Sequence, residues 1–161
     1  MNQIDTILEI LEAGGAKMLF HKMSAADVER IFLYPNTAVA SDGRVIEFGE
    51  GVPHPRSYGT NARVLAEFVR NRRLVTIEDA VRRMTSLPAR SFGLQDRGMI
   101  RVGSAADLVL FDPDSVEDTA TLTEPHRYSV GFELVLVNGS VVVEHDTLTE
   151  ERPGAVLRHG R

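Results

Sequence analysis

Cysteine is absent from the 161 residues. That excludes disulfides and thiolate metal sites, and it leaves the compartment open. Long apolar runs are missing too: none approaches the ~20 residues of a membrane span, so no membrane partner is expected. The N-terminus, MNQIDTILEI, has acidic residues and no basic n-region, so it does not read as a secretory signal and the default is a cytoplasmic protein. Basic blocks are scarce. The longest cluster, Arg70 to Arg73, falls at the end of an expected helix, where cations offset the dipole and a solvated helix end is the plain reading. With a net charge of -5, nothing marks a nucleic-acid surface. Paired metal-ligand spacings such as HxH or HExxH do not occur, and His126, His145 and His159 read as isolated surface residues. Internal repeats and low-complexity tracts are also lacking. What remains is 43% hydrophobic and 25% charged, the balance of an ordinary soluble protein long enough to bury a core.

The first half alternates helix and strand signals. Ile4, Ile7, Leu8 and Leu11 recur at helical spacing, and Gly14-Gly15 stops that helix. Lys17 to His21 is a short apolar run without helical period, expected as a buried strand. Ser24 to Asp27 is a capping-box pattern before a helix face of Val28, Ile31 and Phe32, which Pro35 ends. Thr37 to Ala40 is a second expected strand, closed by Ser41-Asp42-Gly43. A long Gly- and Pro-rich loop is expected from Gly43 to about Thr60. Val64, Leu65, Phe68 and Val69 then mark a helix, and Thr76 to Asp79 caps another that runs through Met84. Past about residue 92 the character changes. Ala106 to Phe111 reads as a strand, and ELVLVNGSVVVE places two β-rich runs around Asn138-Gly139, a strong hairpin signal. Pro153 to Leu157 is a candidate last strand. The expected class is α/β, with a partial βα segment over 1–92 and a small β domain over 93–161. Two parallel strands do not cover a sheet, so each half reads as a piece of something larger, or as a chain that self-associates.

Four residues stand where chemistry is plausible. Asp42 follows an apolar strand; in a βα barrel such a carboxylate lines the active site and acts as general base, and the plainer alternative is a loop cap. His21 ends the other expected strand, as a metal or substrate contact at the rim or as a simple hydrogen-bonded histidine. His54 and Arg56 lie in the long loop, each directly after a proline. The planar Arg fork pairs carboxylates bidentately and suits an amino-acid-like substrate; an exposed loop Arg is the alternative.

Taken together, LFHKMS with Asp27-Val28, then Ala40-Ser41-Asp42-Gly43, then His54-Pro55-Arg56-Ser57-Tyr58-Gly59-Thr60, resemble the last barrel strands and loops of N-acyl-D-amino-acid deacylases, metal-dependent members of the amidohydrolase superfamily. AVRRMTSLPARSFGL (80–94) is similar to the helix leading out of that barrel. Gly98 to Pro113 resembles the return strands common to many amidohydrolases, and Pro125-His126 and Val135 to Gly139 continue the match. The resemblance implies the last two strands and flanking helices of a (βα) barrel, followed by the C-terminal half of a composite β domain. It implies zinc-assisted hydrolysis of an N-acyl-D-amino acid, with Asp42 as general acid/base, Arg56 and His54 on the substrate and His21 at the rim. The family's HxH pair, metal-binding cysteine and later histidines have no counterpart here. No zinc is therefore expected on this chain alone, and turnover is expected only when another chain supplies the N-terminal barrel. The alternative is a non-catalytic binding or assembly module that keeps the fold remnant. Uncovered apolar strands would favour a homo-oligomer, with a symmetric dimer the commonest form.

Overall fold

The computed structural model describes residues 2–16 and 23–158. The expected strand Lys17 to His21, with its rim residue His21, and His159 lie outside the described residues. Two compact units emerge, Met1–Phe32 and Leu33–Arg161.

In the first unit, helix α1 spans Gln3–Glu12 and α2 spans Ala25–Leu33. Both follow their sequence signals. Asn2 caps α1 by accepting the Ile4 N–H at 3.3 Å. At its other end Gly14 and Gly15 take positive φ, and the Gly15 N–H returns to the Ile10 carbonyl at 2.8 Å in a Schellman closure. Ser24 accepts the Asp27 N–H at the start of α2. The apolar stripe Ile4, Ile7, Leu8 and Leu11 on α1 stays exposed.

The second unit opens with the extended segment 34–40. Thr37 to Ala40 is not a strand. Its Val39 N–H is held singly by the Arg83 carbonyl, and the side it turns inward is met by a helix end rather than a strand ladder. Helix α3 spans Arg56–Arg63 and passes into a π-helical stretch, π1, over Val64–Asn71. The expected loop thus ends at Pro55, earlier than Thr60. Gly59 lies within the helix, where a Cβ would run into the Asp118 carboxyl, so the close packing there requires glycine. Helices α4 (Ile77–Met84) and α5 (Ser86–Ser91) follow, α4 capped by Thr76 Oγ1 on the Asp79 N–H. Arg83 of α4 is 3% exposed. It reaches Asp79 Oδ2 at 2.7 Å and the Tyr34 and Thr37 carbonyls at 2.7 and 3.2 Å, so one buried guanidinium fastens the 34–39 segment to the helix.

The β part is a four-stranded antiparallel meander in the order β1 (Leu108–Phe111), β2 (Phe132–Val137), β3 (Ser140–Glu144), β4 (Thr147–Leu148). The β2–β3 turn is the expected one, with Asn138 and Gly139 both at positive φ. No strand forms at Pro153 to Leu157, where the Pro153 carbonyl instead accepts from the Asn138 side chain. Arg70 departs from the solvated helix end: it donates to the Val116 and Pro113 carbonyls at 2.6 and 3.3 Å and joins π1 to the segment between β1 and β2. The buried centre is built from small residues, Ala62, Ala66, Ala80, Ala89 and Ala120, around Val64, Leu65 and Val116. Among the described residues no helix is long and apolar enough to cross a membrane.

Candidate functional site

Asp42 and Arg56 meet although fourteen positions separate them. Asp42 stands at φ 48°, a left-handed conformation that costs a non-glycine residue energy and is most often tolerated where the backbone serves a site or a tight turn. Gly43 follows it because the loop presses on α3: a Cβ there would lie 2.8 Å from the Ser57 Cα. Ser57 Oγ accepts the Arg44 N–H at 3.2 Å, and Ser41 Oγ accepts the Gly43 N–H at 3.1 Å. So held, Asp42 presents its carbonyl and one carboxylate oxygen to one guanidinium. Arg56 Nη2 lies 2.7 Å from Asp42 Oδ2, and its Nε donates to the Asp42 carbonyl at 2.9 Å. The carboxylate side chain is 84% exposed and the guanidinium 46%, so the pair faces solvent and contributes little to stability. Arg56 Nη1 has no partner among the described residues.

His54 stands next to the pair with a local duty. Its Nδ1 accepts the Arg56 N–H at 3.1 Å and its carbonyl accepts the Ser57 N–H, so it closes the first turn of α3 and leaves Nε2 outward. The expected loop position holds for His54, whereas Arg56 is the first residue of a helix.

A second cluster lies behind α3. Phe48, Tyr58, Tyr128 and His126 pack ring against ring, with Phe48 stacked on Tyr128 at 4.8 Å and edge-on to His126 at 5.5 Å. His126 is therefore not an isolated surface residue. Its Nδ1 faces the Tyr58 hydroxyl at 2.9 Å and the Gly49 N–H at 3.1 Å, and its Nε2 faces the Gly51 carbonyl at 3.0 Å. Burial, and then the neighbouring Tyr128, push the Tyr58 phenol above its ordinary value, which keeps it a proton donor. Sequence inspection had no means to find this set, because His126 is 77 positions from Gly49 and 68 from Tyr58.

Metal chemistry would need three protein donors converging. Among the described residues no group of three His, Cys, Asp or Glu is so placed, and the Asp42 carboxylate is engaged by a cation. These residues do not fit a zinc centre.

Known proteins share this sequence and shape. A model of the amidohydrolase family matches residues 36–143. An N-acyl-D-aspartate deacylase of Alcaligenes xylosoxydans xylosoxydans is 43% identical over 157 residues, which is 98% of this chain and 31% of that protein. An N-acyl-D-glutamate deacylase of the same organism is 45% identical over 89% of this chain and 28% of its own length. The crystal structure of a D-aminoacylase superposes with a TM-score of 0.74 at 42% identity, over 80% of this chain and 27% of that one. The chain thus spans about a third of the length of the relatives it matches, and it shares their mixed helix-and-sheet fold.

Proposed function

The chain belongs to the amidohydrolase family, and from that premise we propose that it supplies the acid/base and carboxylate-binding side of a site that hydrolyses N-acyl-D-amino acids to a carboxylate and a D-amino acid. The pairing of Asp42 with Arg56 carries this reading. Asp42 takes a proton from the attacking water and returns it to the leaving amine, which needs a carboxylate that is exposed and fixed in direction. Arg56 fixes that direction through Nε and Nη2 and offers Nη1 to the carboxylate of the substrate. His54, whose Nδ1 is committed to the Arg56 N–H, has Nε2 free for a second contact.

The remaining parts follow from the same premise. Residues 1–92 belong to the last part of a (βα) barrel and 93–161 to a small β domain. Likeness to D-aminoacylase over 80% of the chain supports this, as does the change to antiparallel strands after residue 92. The relatives are about three times longer, and one was solved in complex with zinc and a phosphonate inhibitor. The described residues here fit no such metal. The chain is a C-terminal portion that is inactive alone and self-associates through its exposed apolar strands and helix.

The test is release of D-amino acid from N-acetyl-D-aspartate or N-acetyl-D-glutamate. The purified chain should give none. Mixed with a polypeptide that carries the family's HxH segment, it should give product, and Asp42→Asn should abolish that product without moving the thermal midpoint. Chelator-sensitive turnover by the chain alone would overturn the incompleteness, and an active Asp42→Asn mixture would overturn the role.

A further inference from the structure

We infer that His126 is a positioning residue: its neutral ring, protonated on Nε2, locks the 43–55 loop against α3, and a second proton on that ring releases the loop and with it the setting of Asp42 and Arg56. The inference rests on the proposed roles of those two residues, but its geometry stands without them.

Backbone partners decide the tautomer. The Gly49 amide can only donate, so the Nδ1 it faces at 3.1 Å must be a bare acceptor. The Gly51 carbonyl can only accept, so the Nε2 it faces at 3.0 Å must carry the hydrogen. The Tyr58 hydroxyl, 2.9 Å from the same bare Nδ1, is then a donor as well. A single ring thereby ties together three places: the two ends of the Gly49–Gly51 turn and the third residue of α3. The turn lies between Asp42 and Arg56 in the chain, and Tyr58 lies two residues beyond Arg56. Phe48, immediately before the turn, completes the clamp by stacking on Tyr128 while touching the rings of His126 and Tyr58. Ser129 Oγ, donating to the Tyr58 carbonyl at 3.1 Å, holds the same helix turn from the other side.

An imidazolium has two donors and no acceptor. Placed here, its new Nδ1–H would point at the Gly49 N–H, donor against donor. Tyr58 can turn its hydroxyl to accept, but an amide cannot. The loop therefore loses its attachment at Gly49 when the ring gains a proton. The titratable and charged groups on the elements packed against the ring are Arg56, Tyr58 and Arg63 of α3, Arg44, Glu47, Glu50 and His54 of the loop, and Glu124, Arg127 and Tyr128 of its own segment. Glu124 and Arg127 pair with each other at 2.9 Å, which leaves the loop carboxylates as the charges that would attract the imidazolium once the loop is free.

The experiment is proton–nitrogen NMR on the full chain, which reads tautomer and hydrogen exchange without any assay of turnover. Long-range imidazole spectra should show His126 protonated on Nε2 and bare on Nδ1 at neutral pH, whereas His145, exposed and beside Glu133, serves as an internal comparison. The Gly49 amide should be protected by roughly tenfold over an open chain. That protection should vanish along the His126 titration curve, and the Arg56 Nε–H, bonded to the Asp42 carbonyl, should exchange faster over the same interval. His126→Ala should remove the Gly49 protection at every pH, and Tyr58→Phe should keep it. Should His126→Ala fail to fold, the wild-type titration alone decides. An Nδ1–H tautomer at neutral pH, or Gly49 protection indifferent to the ring's protonation, would overturn the clamp. Loss at Gly49 with Arg56 Nε–H unchanged would overturn the positioning of the pair.

Discussion

Replacing Arg83 by methionine isolates what a buried guanidinium does for the second unit. Methionine fills a similar length with no hydrogen to donate. Three acceptors lose the guanidinium at once, Asp79 Oδ2 and the carbonyls of Tyr34 and Thr37, although the Tyr34 carbonyl keeps the Thr37 N–H at 3.0 Å. Breaking a buried, hydrogen-bonded charge pair from one side costs roughly 3–5 kcal/mol. Two features here moderate that figure. Asp79 is 30% exposed, so water reaches part of the carboxylate, and its Oδ1 keeps Arg82 at 2.8 Å. A loss of about 3 kcal/mol is therefore expected, which for a chain of this size lowers the melting midpoint by roughly 6–12 °C. Arg82→Met is the control. Arg82 shares Asp79 and reaches the Pro35 carbonyl, but it is 31% exposed, and pairs of that kind contribute about 1 kcal/mol or less. Thermal unfolding followed by circular dichroism of both variants measures the contrast. Equal midpoints for the two variants, or an Arg83→Met midpoint within 2 °C of the wild type (an order-of-magnitude threshold, about half a kcal/mol), would refute the assignment of Arg83 as the fastening between α4 and the 34–39 segment.

Other perturbations have equally definite outcomes. Gly59→Ala should destabilise by about 1–3 kcal/mol, because the whole Asp118 carboxyl must move and its Oδ1 already accepts the Ala120 N–H; calorimetry of Gly59→Ala with Asp118→Ala should show part of the loss recovered. Burial pushes the Asp79 carboxyl up, yet the hydrogen bonds and charges of Arg83 and Arg82 outweigh it and hold the group below its ordinary 3.8. A lowered folded value means that Asp79 stabilises the fold above pH 3.8 and stops doing so as pH falls through the lower folded value; the gap in midpoint between wild type and Asp79→Asn should close over that descent. Arg56→Lys should weaken binding of an N-acyl-D-amino acid in the complemented enzyme while leaving the melt in place, since a point charge cannot span two acceptors; calorimetric titration reads it. Sedimentation at micromolar concentration should find a species heavier than the monomer, as Ile4, Ile7, Leu8 and Leu11 of α1 and Leu108, Val109 and Leu110 of β1 all face outward.

Features whose cause is local were legible in the chain. The Asn138-Gly139 turn, the Thr76 and Ser24 caps and the Gly14-Gly15 stop each depend on a few consecutive residues, and each forms where its signal stands. Asp42 and Arg56 were singled out by loop placement and by resemblance, but their contact depends on the Ser57–Arg44 bond that folds the loop back, which no spacing rule contains. Thr37 to Ala40 misled because a short apolar run states only that something covers it; here the cover is α4, and a strand without a ladder is merely extended chain. Arg83 and Arg70 look like surface cations on a helical wheel, and both are tied to carbonyls more than forty positions away. Gly59 and His126 owe their importance to partners equally remote.

The π-helical winding of Val64–Asn71 makes this stretch sensitive to chain length in an unusual way. Such a helix bonds each amide to the fifth residue back and turns less per residue than an α-helix, so it holds one residue more than an α-helix would over the same rise. A single deletion between 64 and 71 would let ordinary winding return while everything beyond it rotated about the axis. Arg70 would then swing off the Val116 and Pro113 carbonyls. Homologues that gain or lose one residue here would register the change as an angle rather than a distance, with the sheet re-aimed relative to α3. A length polymorphism in this helix is thus a steering variable for the unit.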